Sequence, residues 1–346
     1  MTVSRIKDYQ WLAGDEGLAW LHKLRGAPRS VLQQTKELRK TFDAQRTHVL
    51  LEQLELQQRA RSKFSQADRM LFTRQSLEQA TDEVIATFKA QRFPALTPVA
   101  DLCCGIGGDL LALAQRGPTF AVDRDPVMQL LAATNCRRLQ VEVDRIESRD
   151  VRAVALDDVA AWHLDPDRRP RGQRTTQVAH IEPPMEVIEE LLAVCRHAGI
   201  KLAPATRVPE AWLTRAERHW IGSRRECRQQ MVWFGDLARH PGMHAVTMFG
   251  AAGHASRTVT GRPAPLADIA DRIGQYVYEP APVILAAELT ATLASEHGLR
   301  GVSAGVDYLT ADCLVLDDLL SPFRVEAVLP FDRRKLRSLL KERGVG

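Results

Sequence analysis

The stretch VADLCCGIGGDLLALA, residues 99–114, places three glycines between an apolar run and a run with helical spacing. Asp101 lies at the end of the strand-like run, and Gly105, Gly107 and Gly108 form the turn before a helix expected to begin near Asp109. Each glycine removes a Cβ where the backbone must approach a ligand or adopt a positive φ. The pattern predicts a strand, a ligand-binding turn and a helix.

Two further carboxylates follow strand-like runs downstream. Asp123 ends the run TFAVD, about 20 residues after the glycines, where a carboxylate can accept hydrogen bonds from both hydroxyls of a ribose. Asp150 follows a third run, in ESRDV, where it can bind the exocyclic amine of an adenine. Together the motifs predict a nucleoside site.

A nicotinamide-dependent dehydrogenase shares this pairing of a glycine-rich turn with a carboxylate at a strand end. The spacing here is G-x-G-G rather than G-x-G-x-x-G, so the third glycine comes too early for the dinucleotide pattern. The position of Asp150 and the sequence WHLDPDRRP, at the end of the fourth predicted strand, also count against it. An NAD-dependent oxidoreductase stays an alternative.

The chain changes character along its length, which predicts three domains. Residues 1–95 have the apolar spacing of amphipathic helices. Residues 96–250 alternate helical patterns with candidate strands, which is typical of a mostly parallel sheet. Residues 251–346 form a smaller mixed segment. We predict an α/β fold: a Rossmann-like sheet with an N-terminal helical domain and a small α/β C-terminal region. The candidate strands are PVADLCC, TFAVD, AAWHLD, GIKLAP, QQMVWFG and HAVTMFG.

Composition restricts the classes of protein and partner. No apolar stretch of the 346 residues approaches the roughly 20 residues of a membrane helix. The N-terminal sequence MTVSRIKDYQW lacks the apolar core of a signal peptide, so we expect a cytoplasmic protein. The six cysteines lack the spacing of a zinc site or a disulfide framework, so no metal is expected. A net charge of +4 permits a polyanionic partner without requiring one.

The motifs DLCCGIGGDLLALA, AVDRDP, SRDV and LDPDRR, in this order, resemble those of class I S-adenosylmethionine-dependent methyltransferases, and the first resembles the trimethylguanosine synthase branch. From about residue 55, segments such as MLFTRQSLEQAT and YVYEPAPVILAA are similar to bacterial methyltransferases with a ferredoxin-like segment and a C-terminal THUMP-like domain. The resemblance implies a methyltransferase sheet, S-adenosyl-L-methionine as cofactor and RNA as the methylated partner.

The resemblance also implies a role for each residue of the cofactor motifs. Asp101 would hold the methionine amino group, directly or through water, and the three glycines would let the turn lie under the cofactor. Asp123 would bind the ribose. Asp150 would meet the adenine amine, and the amide of Val151 would reach a ring nitrogen.

The sequence LDPDRR occupies the place where N-directed methyltransferases carry (D/N/S)-P-P-(Y/F/W). Asp165 and the carbonyl of Pro166 would accept hydrogen bonds from an exocyclic amine and align it with the methyl group. Asp167 replaces the second proline and Arg168 replaces the aromatic residue. Arg168 would hold a phosphate, stack on a base or form a surface ion pair.

Several neighbouring residues have two interpretations. Trp162 or Phe72 could supply the missing stacking ring, although a core position is favoured for Trp162 inside a strand. His163 is a weaker candidate for a general base. We interpret Asp109 as a helix N-terminal carboxylate favoured by the helix dipole. A C5-type pyrimidine mechanism would need a cysteine nucleophile, and the motif places none there.

The expected function is therefore methylation of a nitrogen of an RNA base. A non-catalytic RNA-binding protein with a degenerate methyltransferase fold is a second alternative, suggested by the replacements at Asp167 and Arg168. The N-terminal segments RARSKF and LFTRQSLEQAT are expected to cover the cofactor pocket or to guide RNA. At the other end, VEAVLPFD predicts a strand and RRKLRSLLKERG a helix, which would leave the THUMP-like module incomplete. The sequence does not indicate an oligomeric state.

Overall fold

The computed structural model describes residues 3–26, 30–167, 181–250, 253, 255–266 and 268–344. They belong to two compact units, Met1–Arg218 with Gln229–Gly242 and His219–Arg228 with Met243–Gly346. None of the described helices combines the length and the apolar character that a membrane span requires. The domain boundaries expected at 95/96 and 250/251 stay a prediction.

The chain before the first strand is helical, as the apolar spacing predicts. The α-helices described there are α1 Val3–Ala13, α2 Asp15–Arg25, α3 Val31–Leu38, α4 Ala44–Ala60, α5 Arg74–Gln79 and α6 Glu83–Ala90. Ser30 and Thr73 begin α3 and α5 with capping boxes, in which side chains satisfy backbone N–H groups at the helix start. Leu12 and Leu50 are fully buried and pack in one core with Leu131, which lies beyond the second strand.

The sheet of the first unit confirms the α/β prediction. Its parallel strands are β1 Val99–Leu102, β2 Thr119–Asp123, β3 Arg145–Ser148, β4 Ala161–Leu164 and β5 Ala198–Leu202, in the spatial order β3-β2-β1-β4-β5. The residues from Gln230 to Trp233 of β7 Glu226–Trp233, which follows β6 Glu217–Ser223 in the chain, pair with β5 in the antiparallel direction. A dinucleotide-binding sheet continues with a parallel strand at this position. The topology therefore counts against the NAD-dependent alternative.

Helices connect the parallel strands and bring their carboxyl ends to one edge. They are α7 Leu110–Ala114, α8 Pro126–Leu139 and α9 Met185–Val194. Asn135 of α8 is fully buried, and its side-chain amide bonds the main chain of Leu71 at 2.7 and 3.1 Å and the carbonyl of Ile106 at 3.0 Å. One side chain thus ties the N-terminal region to the turn after β1.

The second unit contains a further sheet and its own apolar core. Strands β8 His244–Phe249 and β9 Ala255–Gly261 are antiparallel. The other strands, β10 Tyr276–Pro280, β11 Arg300–Gly301, β12 Leu309–Ala311 and β13 Leu320–Arg324, form a sheet in the order β11-β12-β10-β13. Tyr278 and Leu293 are fully buried in the core. The helices are α10 Pro282–Ala286, α11 Thr290–His297 and α12 Arg333–Glu342.

One strand prediction is wrong. The predicted strand VEAVLPFD, residues 325–332, follows β13 without strand structure, because the ladder ends at Arg324 and the residues that follow are mostly exposed. The helix predicted after it is present as α12.

Candidate active site

A cavity of about 230 Å³ lies at the carboxyl ends of the parallel strands. Its walls are the turn after β1, the ends of β2 and β4, the residues after β3 and the end of α5. The predicted site residues that line it are Asp101, Gly105, Gly108, Asp123, Asp150, Val151, Asp165, Pro166 and Asp167. Gly107 is not among the lining residues. Arg168 lies outside the described residues, so its predicted role stays a prediction.

The turn after β1 has the backbone conformation that its glycines predict. Gly105 and Gly107 have φ values of +56° and +90°, a region that glycine enters without strain. A Cβ on Gly105 would meet nothing within 4 Å, which leaves room above the turn. A Cβ on Gly108 would lie 3.4 Å from the backbone nitrogen of Thr81. A side chain at this position would therefore contact the N-terminal region.

Asp123 ends β2 with its carboxylate held by the backbone. The N–H of Gly105 donates to Oδ2 and the N–H of Asp125 donates to Oδ1, both at 2.9 Å. Burial raises the pKa of Asp123 to about 6, although these two N–H donors act in the opposite direction. Each oxygen has a further lone pair, so the carboxylate can still accept hydrogen bonds from a pair of hydroxyls.

Asp150 after β3 is already ion-paired. The side chain of Arg152 donates to both carboxylate oxygens, at 2.9 and 2.7 Å, and its backbone N–H donates at 2.9 Å. These hydrogen bonds hold the pKa of Asp150 at about 2. Asp150 thus stays an acceptor at neutral pH, next to Val151, which is buried.

Asp101 and His163 form a buried pair under the cavity. The two residues lie opposite each other in the β1–β4 pairing, and Asp101 Oδ1 is 2.7 Å from His163 Nδ1. Oδ2 of Asp101 has no hydrogen-bond partner among the described residues. Burial raises the pKa of Asp101, while the hydrogen bond with His163 acts in the opposite direction.

Asp109 lies at the N-terminus of a helix, as the sequence indicates, and its carboxylate also has partners from the N-terminal region. Asp109 occupies the N-cap of α7 but makes no capping hydrogen bond. Its Oδ1 lies 2.6 Å from the ammonium of Lys89, and the hydroxyl of Thr81 donates to Oδ2 at 2.7 Å. Burial lowers the pKa of Lys89. Burial alone would raise the pKa of Asp109, but Lys89, His163 and Lys201 together outweigh it and hold this pKa well below its usual range.

The other side of the cavity is built around Asp165, directly after β4. The ammonium of Lys201 on β5 donates to Asp165 Oδ2 at 2.6 Å and to the carbonyl of Gln79 at 3.2 Å. Asp167 pairs through its backbone with Glu182, with hydrogen bonds of 2.8 and 2.9 Å. The segment around Asp165 is therefore fixed by both neighbouring strands and the end of α5.

The proposed stacking rings are core residues. Trp162 and Phe72 are fully buried, and the indole N–H of Trp162 donates to the carbonyl of Cys195 at 2.7 Å. No Trp, Tyr or Phe is among the described residues that line the cavity. Cys103 and Cys104 do line it, but burial raises the pKa of both thiols well above the ordinary value, which disfavours a thiolate nucleophile.

The chain is similar to known proteins in sequence and in fold. An uncharacterized S-adenosylmethionine-dependent methyltransferase of Mycobacterium tuberculosis, from strains CDC 1551 and H37Rv, is 27% identical over 277 residues, which cover 78% of this chain and 73% of the relative. A crystal structure from Porphyromonas gingivalis W83, provisionally named a methyltransferase, superposes with a TM-score of 0.77 at 21% identity, over 95% of this chain and 86% of that one. No protein-family model matches the chain.

This is a methyltransferase fold. Together with the relatives of M. tuberculosis, it supports S-adenosylmethionine-dependent methyl transfer as the activity and S-adenosylmethionine as the cofactor. Neither the trimethylguanosine synthase branch nor a THUMP-like region follows from these comparisons.

The cavity of this methyltransferase fold has groups that suit the cofactor. The buried Oδ2 of Asp101, which has no described partner, can accept a hydrogen bond from an ammonium group. The open space above Gly105 suits a ligand that lies against the backbone. The Asp123 carboxylate suits a ribose diol, and Asp150 can accept from an amine.

Sequence reasoning missed two lysines of the site. Lys89 and Lys201 are both buried, and each lies 2.6 Å from a carboxylate that lines the cavity. A signal for each was present. Lys201 interrupts the apolar run GIKLAP, and Lys89 falls one turn after Ile85 on the apolar face of its helix. A charged residue on an apolar face indicates a buried partner.

Proposed function

We propose that the protein transfers the methyl group of S-adenosylmethionine to a nitrogen of an RNA base, with an exocyclic amine as the acceptor. The observation that carries the proposal is the position of Asp165 and Pro166, which line the same cavity as the Asp101 and Asp123 carboxylates. Acceptor groups thus lie beside the groups that suit the cofactor.

The residues after β4 can align an amine without a titrating base. The side chain of Asp165 is 25% exposed and can accept a hydrogen bond from one N–H, and the carbonyl of Pro166 can accept from the other. When bound, S-adenosylmethionine supplies an electrophilic methyl group. Catalysis then requires that the nitrogen lone pair be held in line with this methyl group, and that a proton leave the nitrogen.

Two arginines at the cavity, each ion-paired with a carboxylate, can contact a phosphate-bearing substrate. Arg124, whose side chain is 54% exposed, lies at the cavity beside Asp167 and Glu182, and Arg149 also lines it. Guanidinium groups bind phosphates and stack on bases, which would compensate for the missing aromatic ring. The net charge of +4 is compatible with RNA. We also propose that the C-terminal region is a THUMP-like domain and that the protein is cytoplasmic.

The test is transfer of label from radioactive S-adenosylmethionine to total RNA of the source cell, with DNA and protein pools as parallel acceptors. We expect label in RNA, and after digestion to nucleosides in one whose exocyclic amine is methylated. Label in DNA or protein alone would contradict the RNA substrate. Cofactor binding by calorimetry without transfer to any pool would favour the non-catalytic RNA-binding alternative.

A further inference from the structure

Lys201 is a buried lysine in the middle of an apolar strand. It is 4% exposed, and its neighbours Ile200 and Leu202 are at most 1% exposed. Removing an ammonium from water costs several kcal/mol unless other groups compensate for the lost hydration. A methionine or leucine would pack in β5 without this cost. The buried ammonium is therefore expected to have a function at this position.

The ammonium joins two parts of the chain at the cavity. It donates to Oδ2 of Asp165 at 2.6 Å and to the main-chain carbonyl of Gln79 at 3.2 Å. Gln79 is the last residue of α5, and its side-chain amide lies 3.5 Å from Asp167 Oδ1. Gln79, Asp165 and Asp167 all line the cavity, whereas Lys201 does not.

Asp165 needs such a partner because it lies beyond the strand. Its backbone N–H still bonds the carbonyl of Leu102 at 3.2 Å, but its side chain is free to rotate unless another group holds it. The Lys201 ammonium holds Oδ2 of Asp165 in place from outside the cavity. A carboxylate anchored in this way presents its remaining acceptor positions in one orientation.

We propose that Lys201 is a positioning residue for methyl transfer, which holds the Asp165 carboxylate in the orientation that aligns the acceptor amine. The proposal rests on the function proposed above. Lys201 acts on the substrate through Asp165 and does not itself line the cavity. The competing explanation is that Lys201 merely neutralises a carboxylate for stability.

The test compares Lys201→Met and Lys201→Arg with a matched control, Arg92→Met. Arg92 also forms a buried ion pair, 2.5 Å from Glu217, with side chains 10% and 2% exposed, and neither residue lines the cavity. Both methionine variants therefore remove a buried cation from an ion pair, but only one of these pairs includes Asp165. Each protein is assayed with labelled S-adenosylmethionine and total RNA, and its affinity for S-adenosylhomocysteine is measured by calorimetry.

We expect Lys201→Met to lower kcat about 10- to 100-fold, with KM for RNA and the affinity for S-adenosylhomocysteine within about twofold of wild type. Lys201→Arg should recover part of the loss. Arg92→Met should lose thermal stability but keep the wild-type kcat. A stability role alone would not produce this division between kcat and KM.

The double variant Lys201→Met/Asp165→Asn keeps the test decisive even where Lys201→Met alone fails to fold, because it leaves no unpaired charge. Residues that act as a unit are non-additive, so the double variant should be no slower than Asp165→Asn. A further multiplicative loss would overturn the proposal, as would a wild-type kcat in folded Lys201→Met. Wild type that methylates no RNA would overturn the proposed function and this inference with it.

Discussion

Asp109 and Asp123 line the same cavity and have opposite environments. The negative charge of Asp109 is balanced by Lys89 of the N-terminal region, and the hydroxyl of Thr81 donates a hydrogen bond to the same carboxylate. Among the described residues, the Asp123 carboxylate accepts hydrogen bonds from two backbone N–H groups, those of Gly105 and Asp125. The pKa of Asp109 is accordingly held low, whereas burial raises the pKa of Asp123 to about 6.

The difference separates two regions of the site. The floor, formed by Lys89, Thr81, Asp109, Asp101 and His163, pairs most of its charges internally and joins the N-terminal region to the sheet. The β2 wall, formed by Gly105, Asp123 and Asp125, leaves a carboxylate with acceptor capacity for a ligand. Changes in the Lys89–Asp109 pair of the floor should thus affect folding, and changes in the β2 wall should affect ligand binding.

The largest effect is expected for Lys89→Met in the floor. It should lower the free energy of unfolding by about 3–5 kcal/mol, because breaking a buried ion pair leaves an uncompensated charge on Asp109. Chemical denaturation measures the change. The double variant Lys89→Met/Asp109→Asn removes both charges and should recover much of the loss; an equally unstable double variant would contradict this explanation.

A third carboxylate, Asp165, should affect the methyl-transfer step rather than cofactor affinity. Its removal should also lower stability, because it leaves the buried Lys201 ammonium without its ion-pair partner. We expect Asp165→Ala to lower the methyl-transfer rate about 100-fold or more, the loss typical of a positioned catalytic group. Single-turnover assays measure the rate, and calorimetry with S-adenosylmethionine should give nearly wild-type affinity. A wild-type rate would exclude the residues after β4 from the mechanism.

In the β2 wall, Asp123→Ala should weaken S-adenosylmethionine binding by about 1.5–3 kcal/mol, because it removes charge-assisted hydrogen bonds to two hydroxyls. Calorimetry checks the affinity, and circular dichroism checks that the fold is retained. Asp236→Ala is the control, since Asp236 is 82% exposed and does not line the cavity. Unchanged affinity in a folded Asp123→Ala protein would place the ribose elsewhere.

The smallest effect concerns pH. With a pKa of about 6, Asp123 is protonated in the free protein at pH 5, and this proton must leave before the carboxylate can accept from both hydroxyls. S-adenosylmethionine affinity should therefore fall roughly tenfold between pH 7 and pH 5.

The raised pKa of Asp123 affects stability and cofactor affinity in opposite directions: as the pH falls, affinity decreases and the stability of the fold increases. Since the pKa is higher in the folded protein than the ordinary value of 3.8, protonation of Asp123 stabilises the fold. This contribution is complete below pH 3.8 and is lost as the pH rises through about 6. Asp123→Asn should remove the pH dependence of affinity, and a persistent dependence in that variant would assign it to another group.

The strands that position the site were predictable from local patterns. Apolar runs, helical periodicity and glycines that need a positive φ depend only on residues that are close in the sequence. Strands β1, β2, β4 and β5 could therefore be predicted. Sequence reasoning also expected the helical chain before β1. It did not show that the helical pattern breaks between α5 and α6, where Gln79, Ala80 and Thr81 line the cavity.

The Arg-rich stretch RAERHWIGSRRECR shows a further limit of local patterns. Its composition is typical of a solvated face or a nucleic-acid-binding surface, but most of it forms the hairpin of β6 and β7. Its turn residues Arg224 and Arg225 both have positive φ, 52° and 60°. Such a turn is usually made with glycine or asparagine, so the composition gave no sign of it.

Local sequence patterns indicate which residues end the strands, and therefore that Asp101, Asp123, Asp150 and Asp165 lie at one edge of a parallel sheet. The charge partners of the carboxylates at this edge depend on the packing of distant elements. The partners of Asp109 and Asp165 are Lys89 and Lys201, each from a different element and, for Lys201, 36 residues away. Local periodicity describes one element at a time, whereas burial and ion pairing depend on which elements the fold brings within a few ångströms of each other.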